Sequence, residues 1–203
     1  MRTNKRTFPA AEVGAADRKA TLDIAQVFAR TAPLEVDLGC GDGNFLAALA
    51  VQHPDRNFLG VERMLGRVRA SCRKMGDAEI PNARVLQADI METLRTLLPP
   101  RSVDVCHLLF SDPWPKRRHH ERRVFSEEFL RAVADVLAPG GLLRVATDHV
   151  DYFAAMERIW LRVPMLVACP EAESEIAFTT TFENRFRADG LKIHRLVLQR
   201  AKE

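Results

Sequence analysis

The chain has 203 residues, of which 47% are hydrophobic and 28% are charged, and its net charge at pH 7 is only +3. This length and composition are typical of one globular domain with a full apolar core, and they exclude a fibrous or low-complexity protein. No apolar run approaches the roughly 20 residues that cross a bilayer, and the first residues lack the apolar stretch of a secretory leader. We therefore expect a cytoplasmic protein without membrane contact.

The positive charge is concentrated in two short segments. Residues 116–123 contain five Lys or Arg and one Glu, and residues 1–20 contain five Lys or Arg and two acidic residues. The remainder of the chain is net negative. Local cationic patches on an otherwise acidic protein indicate a polyanionic partner, whereas residues 116–123 alone would favour a solvated charged loop.

The four cysteines are far apart in the sequence and form no C-x-x-C pair: Cys40, Cys72, Cys106 and Cys169. No histidine lies near them at a spacing typical of zinc ligands. We therefore predict reduced thiols, no disulfide framework and no metal site.

The predicted elements alternate between helices and strands along the chain. After a basic arm at residues 1–17, a helix is expected over residues 18–30, which Pro33 ends. Five short apolar runs then alternate with segments long enough for crossover helices, which is the pattern of a parallel sheet. These runs are residues 34–38, 57–61, 83–87, 103–110 and 142–146.

The last third of the chain has a less regular pattern. Pro139-Gly140-Gly141 predicts a turn that leads into the fifth strand. A helix is expected over residues 151–161, followed by little regular structure until a final strand over residues 191–200. In this interpretation residues 18–203 form a single domain.

The first strand leads into a loop with glycines at alternate positions, Gly39, Gly41 and Gly43. Such glycines let the backbone turn sharply and approach a ligand closely. A dinucleotide-binding loop would have a further glycine where Asn44 stands, and Asp37 would repel a pyrophosphate. An acid suits the ammonium and sulfonium groups of S-adenosylmethionine, so the loop resembles the first motif of Rossmann-like methyltransferases.

An acidic residue stands at the carboxyl end of each predicted parallel strand, where open α/β sheets bind ligands. Like charges gathered at one edge are costly unless a cation or hydroxyl groups are bound there. Glu62 is placed to accept from both ribose hydroxyls of a nucleoside. Asp89 either contacts the adenine amine, as in methyltransferases, or caps the next helix. The five acids are Asp37, Glu62, Asp89, Asp112 and Asp148.

Two unusual motifs carry a sharper resemblance. Residues 111–123 read SDPWPKRRHHERR, and residues 180–186 read TTFENRF. In these motifs the chain is similar to the bacterial tRNA (guanine-N7)-methyltransferase family, and the resemblance extends over residues 34–200. The chain departs from the family pattern at Ser111, where a proline is usual, at Asp37, where Glu is commoner, and at Glu121, an acid within the basic run.

The resemblance implies an α/β protein with the Rossmann-like class I methyltransferase fold. Its sheet would be mostly parallel and seven-stranded, with an antiparallel C-terminal strand. The implied reaction is methyl transfer from S-adenosylmethionine to N7 of a guanosine in tRNA, by a monomer or a homodimer.

The resemblance also implies roles for single residues, with Asp112 as the catalytic residue that orients the guanine and stabilises its developing charge. The donor site would comprise Asp37, Gly39, Gly41, Gly43, Glu62, Asp89 and Asp112. The guanosine would contact Lys116, Asp148, Thr180, Thr181, Phe182 and Glu183. The RNA backbone would lie along Lys116, Arg117, Arg118, His119, Arg122 and Arg123. Trp114 would either stack on a base or pack as an apolar plug beside its two prolines.

Three other functions are compatible with parts of this pattern. A methyltransferase acting on an exocyclic amine would use a similar D-P-P-[YFW] motif after the fourth strand, which Asp112-Pro113-Trp114 resembles. A noncatalytic RNA-binding protein could keep the same fold, although acids at all five strand ends argue against it. A dinucleotide oxidoreductase is disfavoured by Asn44 and by the basic run.

Overall fold

A computed structural model describes residues 12–13, 21–175 and 180–201 of the chain. The basic arm at residues 1–17 therefore lies almost wholly outside the described residues. Among those described, no helix combines the length and the apolar character needed to cross a membrane.

The described chain forms a seven-stranded sheet with the strand order β3-β2-β1-β4-β5-β7-β6. Strands β1 to β5 are parallel, and β7 is antiparallel to both β5 and β6. The predicted fold class is confirmed. The strands are β1 (Leu34–Leu38), β2 (Asn57–Glu62), β3 (Ala83–Gln87), β4 (Val103–Leu109), β5 (Leu137–Thr147), β6 (Leu166–Ala168) and β7 (His194–Arg200).

Seven α-helices among the described residues cover the two faces of the sheet. They are α1 (Ile24–Phe28), α2 (Asn44–Gln52), α3 (Leu65–Asp77), α4 (Ile90–Glu92), α5 (Glu127–Val136), α6 (Val150–Trp160) and α7 (Thr181–Ala188). Helix α4 continues as a π-helical turn over Thr93–Leu97, and Arg117–Arg122 and Pro170–Glu175 are 3-10 helices. Polar side chains start several of them: the Ser126 hydroxyl accepts from the Phe129 N–H, and the Thr180 hydroxyl accepts from the Glu183 N–H.

The burial of β1 and β2 explains why their sequences are nearly continuous apolar runs. Every residue of both strands is buried, as is typical of central parallel strands that helices cover on both faces. One face packs against Phe129 and Val133 of α5, and the other packs against Phe45 of α2. The strand order reverses between β1 and β4, so the crevice for a ligand lies at the carboxyl ends of these two strands.

Several predicted elements differ from the structure. The described part of the first helix covers only Ile24–Phe28, and residues 14–20 lie outside the described residues. The Pro139-Gly140-Gly141 segment lies within β5 and not before it, because the β4–β5 register shifts between Val103 and Val105 and absorbs the extra residues as a bulge.

The prediction of little regular structure between residues 162 and 190 is wrong. This segment contains β6, a 3-10 helix and α7. The final strand begins at His194 and not at residue 191, because α7 ends at Ala188 and a left-handed Gly190 turns the chain towards β7.

Candidate active site

The glycine loop after β1 leaves its backbone open at the switch point of the sheet. Gly39 and Gly41 have φ values of +92° and +58°, which favour glycine, and a Cβ added at either position would meet no atom within 4 Å. A ligand can therefore approach the backbone at both residues, as predicted from the glycine spacing.

Gly43 has a packing reason for lacking a side chain. A Cβ there would overlap the Ser71 hydroxyl of α3, and its φ of +73° also favours glycine. Gly60, in β2, similarly lies where a Cβ would be 2.7 Å from the Cys40 sulfur. These two glycines hold β2 and α3 close against the loop, whereas a donor contact at Gly43 stays a prediction.

Asp37 and Glu62 form a buried pair of carboxyl groups behind the loop. Only 5% of Asp37 and 7% of Glu62 are exposed. Burial, together with the nearby Glu62 charge, raises the pKa of Asp37 to about 7. Asp37 is the last residue but one of β1, whose bounds are those predicted from the sequence.

Glu62 is held in place by its own chain. One carboxylate oxygen accepts from the Met64 N–H at 2.7 Å, and the other lies 3.8 Å from the Arg67 guanidinium. The two acids thus form a negatively charged recess next to an open backbone, which is a suitable environment for a cationic ligand.

Asp89 follows β3 and caps α4. One of its oxygens accepts from the Met91 N–H at 2.8 Å and from the Glu92 N–H at 3.4 Å. The capping interpretation is therefore confirmed, while a contact between Asp89 and an adenine amine stays a prediction.

The loop after β4 carries Asp112, which is exposed, between two bulky residues with left-handed backbones. Phe110 has a φ of +54° and Trp114 a φ of +42°. The Trp114 ring meets the His119 ring edge-on at 5.7 Å between centroids, and the Arg122 guanidinium lies 5.0 Å over it. Trp114 is thus packed by side chains of its own segment.

Most of the basic run, Arg117–Arg122, forms a 3-10 helix. Lys116, Arg117, Arg118 and Arg122 are exposed. Arg123 differs from them, because it is half-buried and its Nε donates to the Pro113 carbonyl at 2.7 Å. The run therefore exposes four cations to solvent, whereas its fifth, Arg123, packs against the protein.

Helix α7 brings the second motif to the same edge of the sheet. The Asn44 side-chain amide donates to the Thr181 hydroxyl at 3.0 Å, which joins the glycine loop to the start of α7. The Phe110 and Phe186 rings lie 5.5 Å apart, which joins α7 to the end of β4. Thr181 and Phe182 are exposed there, and Asp148 directly follows β5.

Glu183 lies on the buried side of α7 and is only 4% exposed. Its Oε1 accepts from Arg187 Nε at 2.8 Å and also from Arg195, on β7. Thr180, which is also buried, caps the helix. The structure thus gives Thr180 and Glu183 a role in holding α7, and their predicted contact with guanosine stays a prediction.

The sequence patterns gave no indication of three residues that connect these parts. Asn44 stands where a dinucleotide-binding loop has a glycine, which predicts no contact for its side chain, and Arg195 lies in a strand with no motif. Tyr152, the only tyrosine in the chain, is fully buried behind the Asp112 loop. The only sequence feature that distinguishes Tyr152 is that it is a single tyrosine near the start of a predicted helix.

Within the described ranges, no group of three or more His, Cys, Asp or Glu side chains could hold a metal ion. Cys40, Cys72 and Cys106 are buried free thiols, and Cys169 is half-buried. Burial is the main cause that raises the pKa of Cys72 to about 11, so this thiol is protonated at neutral pH.

The comparisons with known proteins agree with the fold. A family model described as "Putative methyltransferase" matches residues 31–196. Among solved structures, the 16S rRNA methyltransferase KamB superposes with a TM-score of 0.63 at 19% identity, covering 88% of this chain and 93% of that one. The chain belongs to this methyltransferase family and has the class I methyltransferase fold.

Curated relatives identify the family within this class. The tRNA (guanine-N(7)-)-methyltransferase of Cutibacterium acnes is 39% identical over 188 residues, covering 90% of this chain and 68% of the relative. The enzyme of the same name from Leifsonia xyli is 42% identical over 172 residues, covering 81% and 74%. The chain belongs to the tRNA (guanine-N7)-methyltransferase family.

Proposed function

We propose that the protein transfers the methyl group of S-adenosylmethionine to N7 of a guanosine in tRNA. The observation that carries this proposal is the meeting of three parts at one edge of the sheet: the open glycine loop, the Asp112 loop and α7. The contacts Asn44–Thr181 and Phe110–Phe186 hold them together. Membership of the tRNA (guanine-N7)-methyltransferase family supports the choice of substrate.

The residues at the switch point fit S-adenosylmethionine. Gly39 and Gly41 leave room for its amino-acid part against the backbone, and the buried pair Asp37 and Glu62 suits its ammonium group and ribose hydroxyls. Gly43 and Asp89 are proposed to complete this donor site. The donor, when bound, supplies an activated methyl group on a sulfonium.

The protein is not required to remove a proton in this reaction. Guanine N7 has an in-plane lone pair and carries no proton at neutral pH, so catalysis is mainly alignment of the nucleophile with the methyl carbon. Such alignment can supply roughly 7 to 11 kcal/mol in favourable cases. Asp112 is proposed to orient the guanine and to stabilise the positive charge that moves onto the purine.

The exposed cations next to Asp112 are proposed to bind the tRNA backbone. Lys116, Arg117, Arg118 and Arg122 face solvent from one short helix, and such groups neutralise phosphates. His119 lies beside them. The guanosine itself is proposed to contact Lys116, Asp148 and the start of α7, from Thr180 to Glu183.

A single experiment tests this function: purified protein is incubated with labelled S-adenosylmethionine and bulk tRNA, and the product nucleosides are separated. We expect label in 7-methylguanosine. Label in a base methylated at an exocyclic amine would replace the proposed reaction with the alternative one. Absence of donor binding would indicate a noncatalytic RNA-binding protein instead.

We also propose that the protein acts in the cytoplasm, because its proposed substrate is tRNA. Action as a monomer or a homodimer is part of the same proposal. Sedimentation of the protein with and without tRNA measures which of the two states binds the substrate.

A further inference from the structure

Two adjacent arginines at the end of the basic run make different contacts. The Arg122 side chain is exposed, and its guanidinium lies over the Trp114 ring. Arg123 is half-buried, donates from Nε to the Pro113 carbonyl, and places its guanidinium 4.6 Å over the Tyr152 ring. Arg123 therefore already has a backbone acceptor and an aromatic face within the protein.

Tyr152 receives contacts from both ends of the same loop. Its phenol oxygen accepts from the Phe125 N–H at 3.3 Å, and the Ser111 side chain lies close enough to influence the pKa of the phenol. The ring is fully buried, in the first turn of α6. Burial raises the pKa of Tyr152, so the phenol stays neutral and remains available for this hydrogen bond.

These contacts lie on both sides of Asp112 in the sequence. Ser111, the residue before it, lies near Tyr152, and the carbonyl of Pro113, the residue after it, accepts from Arg123. The Asp112 carboxylate itself is near enough to Tyr152 to influence the phenol electrostatically.

The same tyrosine connects this loop with the residues after β5. Its backbone N–H donates to His149 Nδ1 at 3.3 Å, and the His149 N–H in turn donates to the Thr147 hydroxyl at 3.2 Å. Asp148 stands between Thr147 and His149. Tyr152 thus joins the two segments, through its ring and hydroxyl to the loop of Asp112 and through its backbone to the segment of Asp148.

The backbone of the loop needs such support. Phe110 and Trp114, on either side of Asp112, both have left-handed backbones. This conformation is unfavourable for bulky residues and persists where surrounding contacts determine it. Arg123 and Tyr152 supply contacts of this kind.

We propose that Arg123 and Tyr152 are positioning residues that fix Asp112 relative to Asp148, and that Arg123 is not one of the phosphate-binding cations. This inference rests on the proposed methyl transfer to tRNA. It revises the RNA-binding role that the family resemblance implies for Arg123, and it leaves that role with the exposed cations of the run.

The test compares Arg123→Gln and Tyr152→Phe with Arg122→Gln. For each variant, kcat and the KM values for donor and tRNA are measured, together with tRNA affinity between low and moderate salt. Arg158→Gln, an exposed arginine on α6, is the surface control. Donor affinity and thermal unfolding show whether each variant has folded.

We expect Arg123→Gln and Tyr152→Phe to lower kcat about 10- to 100-fold, because small displacements of a catalytic group have effects of this size. Their tRNA affinity and its salt dependence stay at the values of the natural protein. Arg122→Gln lowers the salt slope by about one, as expected for a lost phosphate contact. Arg123→Lys, which can still donate to Pro113, recovers part of kcat.

The double variant Arg123→Gln, Tyr152→Phe adds a further criterion. Since both residues act on one loop, their effects on kcat are expected to be less than additive. A lower salt slope in Arg123→Gln with an unchanged kcat would overturn the inference. Losses of kcat that are independent and additive in the double variant would also overturn the inference. If the natural protein itself forms no 7-methylguanosine, the proposed function fails instead.

Where Arg123→Gln does not fold, Tyr152→Phe carries the same test, because it keeps the ring and removes only the hydroxyl that accepts from the Phe125 N–H. An unchanged kcat in that variant would also overturn the inference.

Discussion

Arg195, on β7, forms an ion pair with Glu183, on α7, whose side chain is only 5% exposed. Arg187 binds the same carboxylate oxygen at 2.7 Å. A buried carboxylate with two guanidinium partners ties the last helix to the last strand. This pairing fixes the face of α7 that is turned towards the sheet.

Replacing Arg195 with Leu is expected to destabilise the fold. The variant leaves Glu183 buried with Arg187 as its remaining partner, which costs roughly 1 to 3 kcal/mol. Urea unfolding measures this loss. Arg185→Leu is the control, because that arginine is 77% exposed and lies 4.0 Å from Asp189, so its loss costs less than about 0.5 kcal/mol. Equal losses in both variants would contradict the prediction.

Donor affinity is expected to rise with pH through neutrality. The pKa of Asp37 is about 7, so the carboxylate that would bind the donor ammonium is half-protonated at that pH. Calorimetric titration between pH 6 and pH 8 measures the effect. In Asp37→Asn the affinity should be lower above pH 7 and independent of pH. A pH dependence that persists in this variant would assign it to another group.

The same carboxyl group affects stability with the opposite sign. The folded-state pKa of Asp37 lies above the unfolded value. The protonated carboxyl group therefore stabilises the fold relative to the ionised one, and this contribution is fully present below pH 4 and is lost as pH rises through about 7. Without donor, Asp37→Asn is therefore expected to be more stable than the natural protein at pH 8, by roughly 2 to 4 kcal/mol at most. Urea unfolding at pH 5 should give a smaller difference.

Replacing Asp112 with Asn is expected to abolish most of the transfer without affecting the fold. The change removes the charge that would stabilise the alkylated purine, and the loss of one such group costs about 100- to 1,000-fold in kcat. Donor affinity should change little. Asp151→Asn, an exposed acid on α6, is the control. An unchanged kcat in Asp112→Asn would remove this residue from the site.

The exposed cations of the basic run are expected to determine the salt dependence of tRNA binding. Arg117→Gln with Arg118→Gln should reduce the slope of log affinity against log salt by roughly 1.5. Glu121→Gln removes the one acid of the run and should instead strengthen binding. Filter binding at several salt concentrations measures both. A slope that these changes do not alter would place the RNA elsewhere.

Much of this architecture was predictable from local patterns. The strands β1 to β4 are short, buried apolar runs between helical segments, and their bounds agree with the predictions to within one residue. The fold class and the family are confirmed as well. Both motifs that indicated the family lie at one edge of the sheet, as the rule for open α/β sheets requires.

Helix α7 and strand β6 could not be predicted because their buried positions break the usual pattern. The buried residue of α7 is Glu183 and not an apolar residue, so hydrophobic periodicity gives no signal. Strand β6 has three residues, of which only Leu166 is buried. The difference between Arg122 and Arg123 depends on a tyrosine about 30 residues away, and no local pattern in the sequence contains that information.

The strand order has a consequence for synthesis on the ribosome. Strand β6 lies at the outer edge of the sheet and pairs with β7, which is made later and inserts between β5 and β6. A nascent chain that has not yet reached His194 therefore lacks β7, which leaves β6 without its neighbouring strand and Glu183 without Arg195. Helix α7 therefore gains its ion pair to the sheet only after β7 has inserted between β5 and β6.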